Sequence, residues 1–278
     1  MLHYICAMRC EAAPILEHFR MQPLKQAGVF PLFMDKQQTT SLTISGIGKL
    51  AAAAAVTYTG TLLAATKSDA WLNVGIAGHA QHAYGLSLLA HKITDAGSGT
   101  RWYPQILFDA GVHSAAMRTL DSPSSDYNDE LYEMEGAGFY SGAIRFGSAE
   151  LIHCLKIISD NNTHPVAALT EKSIRAVIAQ NIDVIAGVDR GLRELAADSG
   201  AISSASPWYE PILELRHFTQ YQRNRLQHLL QRWHSLAPDI KPPLDELACA
   251  ADAQQLLERL QDQLDAMPVC FGTIPPHV

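Results

Sequence analysis

Apolar positions along the chain alternate between two rhythms. Short, nearly continuous apolar runs predict strands at LHYICAM (2–8), VFPLFM (29–34), SLTIS (41–45), AWLNVGIAG (70–78), LSLLAHKITDA (86–96), ELYEM (130–134) and HCLKIIS (153–159). Between them lie stretches with helical spacing: about 10–19, an alanine-rich segment at 49–66, and GAGFYSGAIRFG after Glu135. A long helix is expected over 170–197, with Ile174, Val177, Ile178, Ile182, Ile185, Val188, Leu192 and Leu195 on one face. Strands that are apolar on both faces, alternating with helices, predict an α/β fold with helices covering both sides of a sheet.

The pattern changes near Gly200. A linker, ISSASPWYEP (202–211), precedes an amphipathic helix over about 211–236, with Leu215, Phe218, Leu226, Leu229, Leu230 and Trp233 on one side. Its other side carries Arg216, Arg223, Arg225 and Arg232. After the Pro-containing break APDIKPP, an acidic helix is expected near 244–265. The opposite charges predict a helical hairpin packed on itself or on the main domain, its arginines forming a solvated face. The boundaries expected are thus 1–200 for the main domain and 201–278 for the extension.

Composition narrows the class. The 278 residues are 47% hydrophobic and 18% charged, enough for one substantial core with an appended unit. A net charge of −7 argues against a nucleic-acid or acidic-membrane partner. The five cysteines are too few and too scattered for a disulfide framework, which favours reduced thiols and a cytoplasmic setting. Cys6 and Cys10 do not read as metal ligands, because Cys6 falls in a strand pattern and no second ligand pair follows. No membrane span is expected, since the alanine-rich stretch is interrupted by Thr and Gly.

Candidate chemistry collects where strands end and helices begin, the ligand-binding edge of α/β sheets. Two glycine turns lie there, Ser45-Gly46-Ile47-Gly48-Lys49 and Gly75-Ile76-Ala77-Gly78. Neither has phosphate-loop spacing, but glycine lets a backbone approach a ligand closely. Three acids end three strands: Glu11, Glu135 and Asp160. Singly, each reads as a helix or turn cap. Together they suit a polar, hydroxyl-rich ligand. Alternation along the strand puts Glu133 on the same side as Glu135.

The ordered segments ICAMRCE (5–11), SGIGKLAAAAA (45–55), LNVGIAG (72–78), YEMEGAG (132–138) and IISD (157–160) resemble the purine nucleoside phosphorylase/nucleosidase superfamily. Within it they are most similar to the 5′-methylthioadenosine/S-adenosylhomocysteine nucleosidase branch. The likeness covers roughly residues 1–197 and implies a three-layer α/β/α fold around a mixed central sheet. It implies cleavage of an N-glycosidic bond in a purine-type nucleoside, with no cofactor or metal, in a homodimer. Glu135 would hold the ribose hydroxyls with Met134 against the sugar, Asp160 beside Ser159 would be the general acid at the base, and Glu11 would activate water. Gly75, Ile76 and Lys156 complete the implied binding set, with Ile76 where the nucleosidases carry a hydroxyl residue and Lys156 where they carry arginine. Glu133 is left as a bystander. The segment before Tyr132 is short, so Tyr127, or Trp102 and Tyr103, would have to meet the base. Hydrolysis is favoured; a phosphorylase, with Arg9 near the anion, and a non-catalytic nucleoside sensor remain as alternatives.

Overall fold

The structure is a computed structural model describing residues 1–25, 27–109, 111–124, 126–203, 206–237 and 240–267. It divides into two compact units, Met1–Ala197 and Asp198–Val278. Residues 204–205 of the expected linker and 238–239 of the Pro-containing break lie outside the described residues.

The first unit runs β1 (Leu2–Cys6), α1 (Arg9–His18), β2 (Gln22–Pro23), β3 (Leu32–Met34), β4 (Thr40–Ile44), α2 (Lys49–Leu62), β5 (Ala70–Gly78) and β6 (Ser87–Asp95). It continues through β7 (Arg101–Trp102), β8 (Ser114–Thr119), β9 (Leu131–Glu133), α3 (Gly136–Ala143), β10 (Ile152–Asp160), α4 (Glu171–Gln180) and most of α5 (Ile182–Ser203), which runs past the boundary at Ala197. β1 lies between β4 and β5, parallel to both, and β10 is parallel to β5. β6 runs antiparallel to β10 and parallel to β8. β8 is parallel to β9, which returns antiparallel to β5. β5, β10, β6, β8 and β9 therefore close into a ring, and the sheet is mixed as expected.

Side-chain alternation feeds two cores. Leu2, Tyr4 and Cys6 of β1, with Leu72 and Val74 of β5, pack on Ile15, Ile178, Ile185, Val188 and Leu192. Ile5, Trp71 and Ala77 face the other way, onto Ala52, Val56, Phe139 and Tyr140. On this second side α2 and α3 approach so closely that a Cβ at Gly138 would lie 1.8 Å from the Lys49 carbonyl oxygen. The glycine-rich sequence of α3 is what lets those two helices meet.

Two expectations need correction. The helix foreseen over 170–197 is two helices, α4 and α5, separated at Asn181. The Asn181 side chain accepts from the Ser87 hydroxyl at 2.8 Å and donates to the Val177 carbonyl at 2.9 Å, which ties the break to the sheet. The strand β8 was not anticipated: its sequence, SAAMRT, buries only Ala115, Met117 and Thr119, and its pairing partners define it.

The second unit, taken by itself, holds α6 (Tyr209–Leu213), α7 (Gln220–Leu236), α8 (Leu244–Ala248) and α9 (Ala253–Ala266). Each foreseen helix is split in two. Thr219 caps α7 by accepting from the Gln222 amide, and Asp252 caps α9 by accepting from the Gln255 amide. α7 and α9 form the hairpin: Leu226, Leu229, Leu230 and Trp233 bury against Leu256, Leu257, Leu260 and Leu264. Opposite charges do meet, with Arg232 2.7 Å from Asp265. Arg216 departs from the solvated face expected for it, since its guanidinium donates to the Ala248 carbonyl at 2.7 Å and to that of Ala250 at 3.0 Å.

Candidate active site

A cavity of about 260 Å³ opens at the carboxyl ends of β1, β5 and β10. Among its lining residues are Glu11, Ile76, Met134, Glu135, Ser159 and Asp160. A roomier hollow of about 690 Å³ beside His18–Leu24 and Met34–Gln38 has one carboxylate, Asp35, among its described lining residues. That acid is already spent on the amides of Thr39 and Thr40.

Glu11 stands in the first turn of α1, where the chain leaves β1, and is 2% exposed. One oxygen accepts from the Met8 amide at 2.9 Å and the other from the Ile76 amide at 3.1 Å. Burial pushes its carboxyl above the ordinary carboxylate range, against the pull of Lys156 and those amides. Gly75 makes the room: a Cβ there would sit 2.9 Å from Glu11 Oε1 and 3.4 Å from Lys156 Nζ.

Glu135 is the N-cap residue of α3, with αR backbone, so β9 has already ended at Glu133. Its Oε1 accepts from the Gly48 amide at 2.8 Å. Gly48 has φ of +103°, a conformation glycine adopts freely, and it aims that amide across the site. Burial, with Lys156 opposing and Glu133 adding, raises Glu135 to about 7.

Asp160 ends β10. A register shift between Ile158 and Asp160 puts an extra residue, Ser159, into the strand, and both Ser159 and Asp160 reach the cavity. Ser159 donates to Asp160 Oδ1, and the Tyr127 hydroxyl donates to Oδ2. A Cβ at Gly78 would stand 2.5 Å from Asp160 Oδ2 and 2.6 Å from Tyr127 Cζ, so this contact needs glycine beneath it. Burial, and then the hydrogen bond to Asp160, push the Tyr127 phenol up.

Six of the eight residues foreseen at the site thus line the cavity. Gly75 and Lys156 lie behind it. The Lys156 ammonium is 3.0 Å from Glu133 Oε2, and each side chain is 1% exposed. Glu133 is no bystander. Its Oε2 accepts from the amides of Glu135 at 2.9 Å and Gly136 at 2.7 Å. Its Oε1 accepts from the Thr119 hydroxyl at 2.5 Å, and Thr119 in turn receives the Ala137 amide at 2.9 Å. Glu133 lines the cavity alongside Glu135, on the side that strand alternation gave them, and it was the role implied by the resemblance that left it out.

Of the three aromatics offered for the base, Tyr127 lines the cavity. Trp102 packs against Tyr140 on the core and Tyr103 is 62% exposed. Sequence reasoning missed Ile47, Leu120, Pro123, Tyr132, Val166, Leu169 and Ile174, which supply most of the apolar wall. Only Ile47 carried a signal, its place between Gly46 and Gly48.

A ring-closed mixed sheet with helices on both faces is a fold shared with solved nucleosidase structures. Solved structures bear out this likeness of fold. The chain is similar to 5′-methylthioadenosine nucleosidase of Arabidopsis thaliana, at 16% identity and TM-score 0.59 over 69% of this chain and 95% of that one. It is similar to the 5′-methylthioadenosine/S-adenosylhomocysteine nucleosidase of Helicobacter pylori, at 17% identity and TM-score 0.56 over 68% and 97%. It is also similar to futalosine hydrolase of Helicobacter pylori, at 18% identity and TM-score 0.54 over 69% and 97%. The chain matches no family model and no curated protein.

Proposed function

We propose that this protein is a nucleosidase that hydrolyses the N-glycosidic bond of a purine-type, adenine-containing nucleoside. The observation that carries the reading is the convergence of Glu11, Glu135 and Asp160 on one cavity at the sheet's carboxyl edge. The named activities of the similar folds support the substrate class.

In this reading Glu135 accepts the ribose 2′ and 3′ hydroxyls, and Met134 packs against the sugar. Water adds to C1′ while giving its proton to Glu11, whose carboxyl burial raises and so makes a better proton acceptor. The bond from C1′ to the base breaks, its electron pair leaves with the base, and Asp160 delivers a proton to N7. The nearby carboxylates favour the positive charge that develops on the ribose. Water is preferred to phosphate because no Lys, Arg or His is among the described residues that line the cavity. Among those residues the charged groups a phosphate dianion would meet are all carboxylates. The reading extends to a cytoplasmic homodimer, resting on the reduced-thiol composition and on the resemblance.

The test is base release, followed by chromatography, from methylthioadenosine, S-adenosylhomocysteine, adenosine, 5′-deoxyadenosine, inosine and futalosine, with and without phosphate. Release without phosphate that disappears in Asp160→Asn is the expected result. Strict phosphate dependence would make the protein a phosphorylase. Binding without release would make it a nucleoside sensor.

A further inference from the structure

Lys156 and Glu133 are a fully buried ion pair that the steps above do not use. Burying two charges is costly, and a pair of this kind often contributes little net stability compared with apolar replacements. Its hydrogen bonds point to another task. Glu133 is the acceptor for two successive amides, those of Glu135 and Gly136, where β9 gives way to α3. Through Thr119 it also holds the Ala137 amide. The first turn of α3, and the backbone that carries Met134 and Glu135, are therefore fastened to one carboxylate.

That carboxylate belongs to a crowded set. Glu133 from β9, Glu135 at the α3 N-cap and Glu11 from α1 all act on the Lys156 ammonium, while the nearby thiols of Cys154 on β10 and Cys6 on β1 are pushed up by burial and stay neutral. Three buried glutamates thus share one buried cation. Burial alone would strip the charge from Lys156, yet the surrounding carboxylates outweigh it and hold the ammonium charged.

We propose that Lys156 and Glu133 are positioning residues for Glu135: Glu133 seats its backbone through the two amides, and Lys156 supplies the positive charge that lets Glu135 ionise beside Glu133. This rests on the nucleosidase reading only for the claim that Glu135 holds the sugar. The seat stands on the two amide hydrogen bonds and the charge balance starts from the 3.0 Å contact between Lys156 and Glu133. Lys156 acts on the ribose site from behind and touches no substrate.

The test is a pH titration of the Glu135 carboxyl by ¹³C NMR in the full-length protein, its resonance assigned as the one absent in Glu135→Gln. Lys156→Met should move the midpoint up by about one pH unit or more, as loss of a nearby opposite charge does. Glu133→Gln keeps an oxygen for the two amides but removes a negative charge, so the midpoint should move down. Lys156→Arg should leave it in place. A purely structural pair would not give shifts of opposite sign. Folded variants whose midpoints stay put, or move in the same direction, would overturn the proposal. If Lys156→Met does not fold, the downward shift in Glu133→Gln decides alone. The titration needs no substrate, so failure of base release would sink the nucleosidase reading without touching this result. Where base is released, the pH dependence of KM should follow the same midpoints.

Discussion

The Gly48 amide donates to Glu135 Oε1 at 2.8 Å, joining positions 87 residues apart. One glycine turn thus grips the acid that the other turn of chain delivers. Because that acid is both buried and paired, its ionisation sets measurable behaviour.

Glu135 has its carboxyl raised from the ordinary 4.5 to about 7, chiefly by burial. Between those values the folded protein keeps a proton that the unfolded chain has lost. Its contribution to stability is therefore complete below about 4.5, falls as pH rises, and is gone above about 7. Melting temperature in wild type should decline relative to Glu135→Gln across this window. Parallel melting curves would remove the shifted carboxyl. Sugar binding needs the ionised form, so KM should fall as pH rises towards and through 7.

Tyr127 donates its hydroxyl to Asp160, and Tyr127→Phe deletes that bond alone. A hydrogen bond of this kind contributes about 0.5–1.5 kcal/mol to holding the general acid in place, so kcat/KM should drop roughly two- to tenfold with folding intact. Steady-state kinetics and a melting curve check both halves. An unchanged kcat/KM would mean the contact has no part in the reaction.

Gly138→Ala should prevent normal folding. The new Cβ would fall 1.8 Å from the Lys49 carbonyl oxygen, a backbone atom that no rotamer change can move. Overpacking costs typically about 1–3 kcal/mol and occasionally more, and this clash belongs with the larger losses. At Gly187, where a Cβ would meet nothing within 4 Å, Gly187→Ala should be neutral or slightly stabilising. Denaturant melts of the two variants give the comparison.

All described residues lining the cavity lie at or before Ile174, within the first unit. A chain ending at Ser203 should therefore keep base release within a few-fold of the full-length protein. An inactive but folded fragment would show that the extension shapes the site.

Much of this was legible because burial leaves a periodic trace. β5 was foreseen at its observed bounds, 70–78, and the buried face of α4 and α5 falls on the expected Ile174, Val177, Ile178, Ile185, Val188 and Leu192. The breaks in the C-terminal helices also had a written signal. Thr219-x-x-Gln222 and Asp252-x-x-Gln255 are helix starts, and apolar periodicity running through them hid it. β8 left no such trace, since alanine and threonine bury little apolar area and take their conformation from β6 and β9.

The sequence by itself determined the α/β order, the strand ends and the three acids at them, because hydrophobic period and glycine placement act locally. Only the tertiary structure decided what those acids meet. Glu133 became the partner of Lys156 because β9 and β10 are both members of the closed ring. Tyr127 reached Asp160 because Gly78 leaves the space of a missing side chain. Electrostatic and steric contacts between residues distant along the chain depend on how strands are paired, and no local pattern encodes that distance.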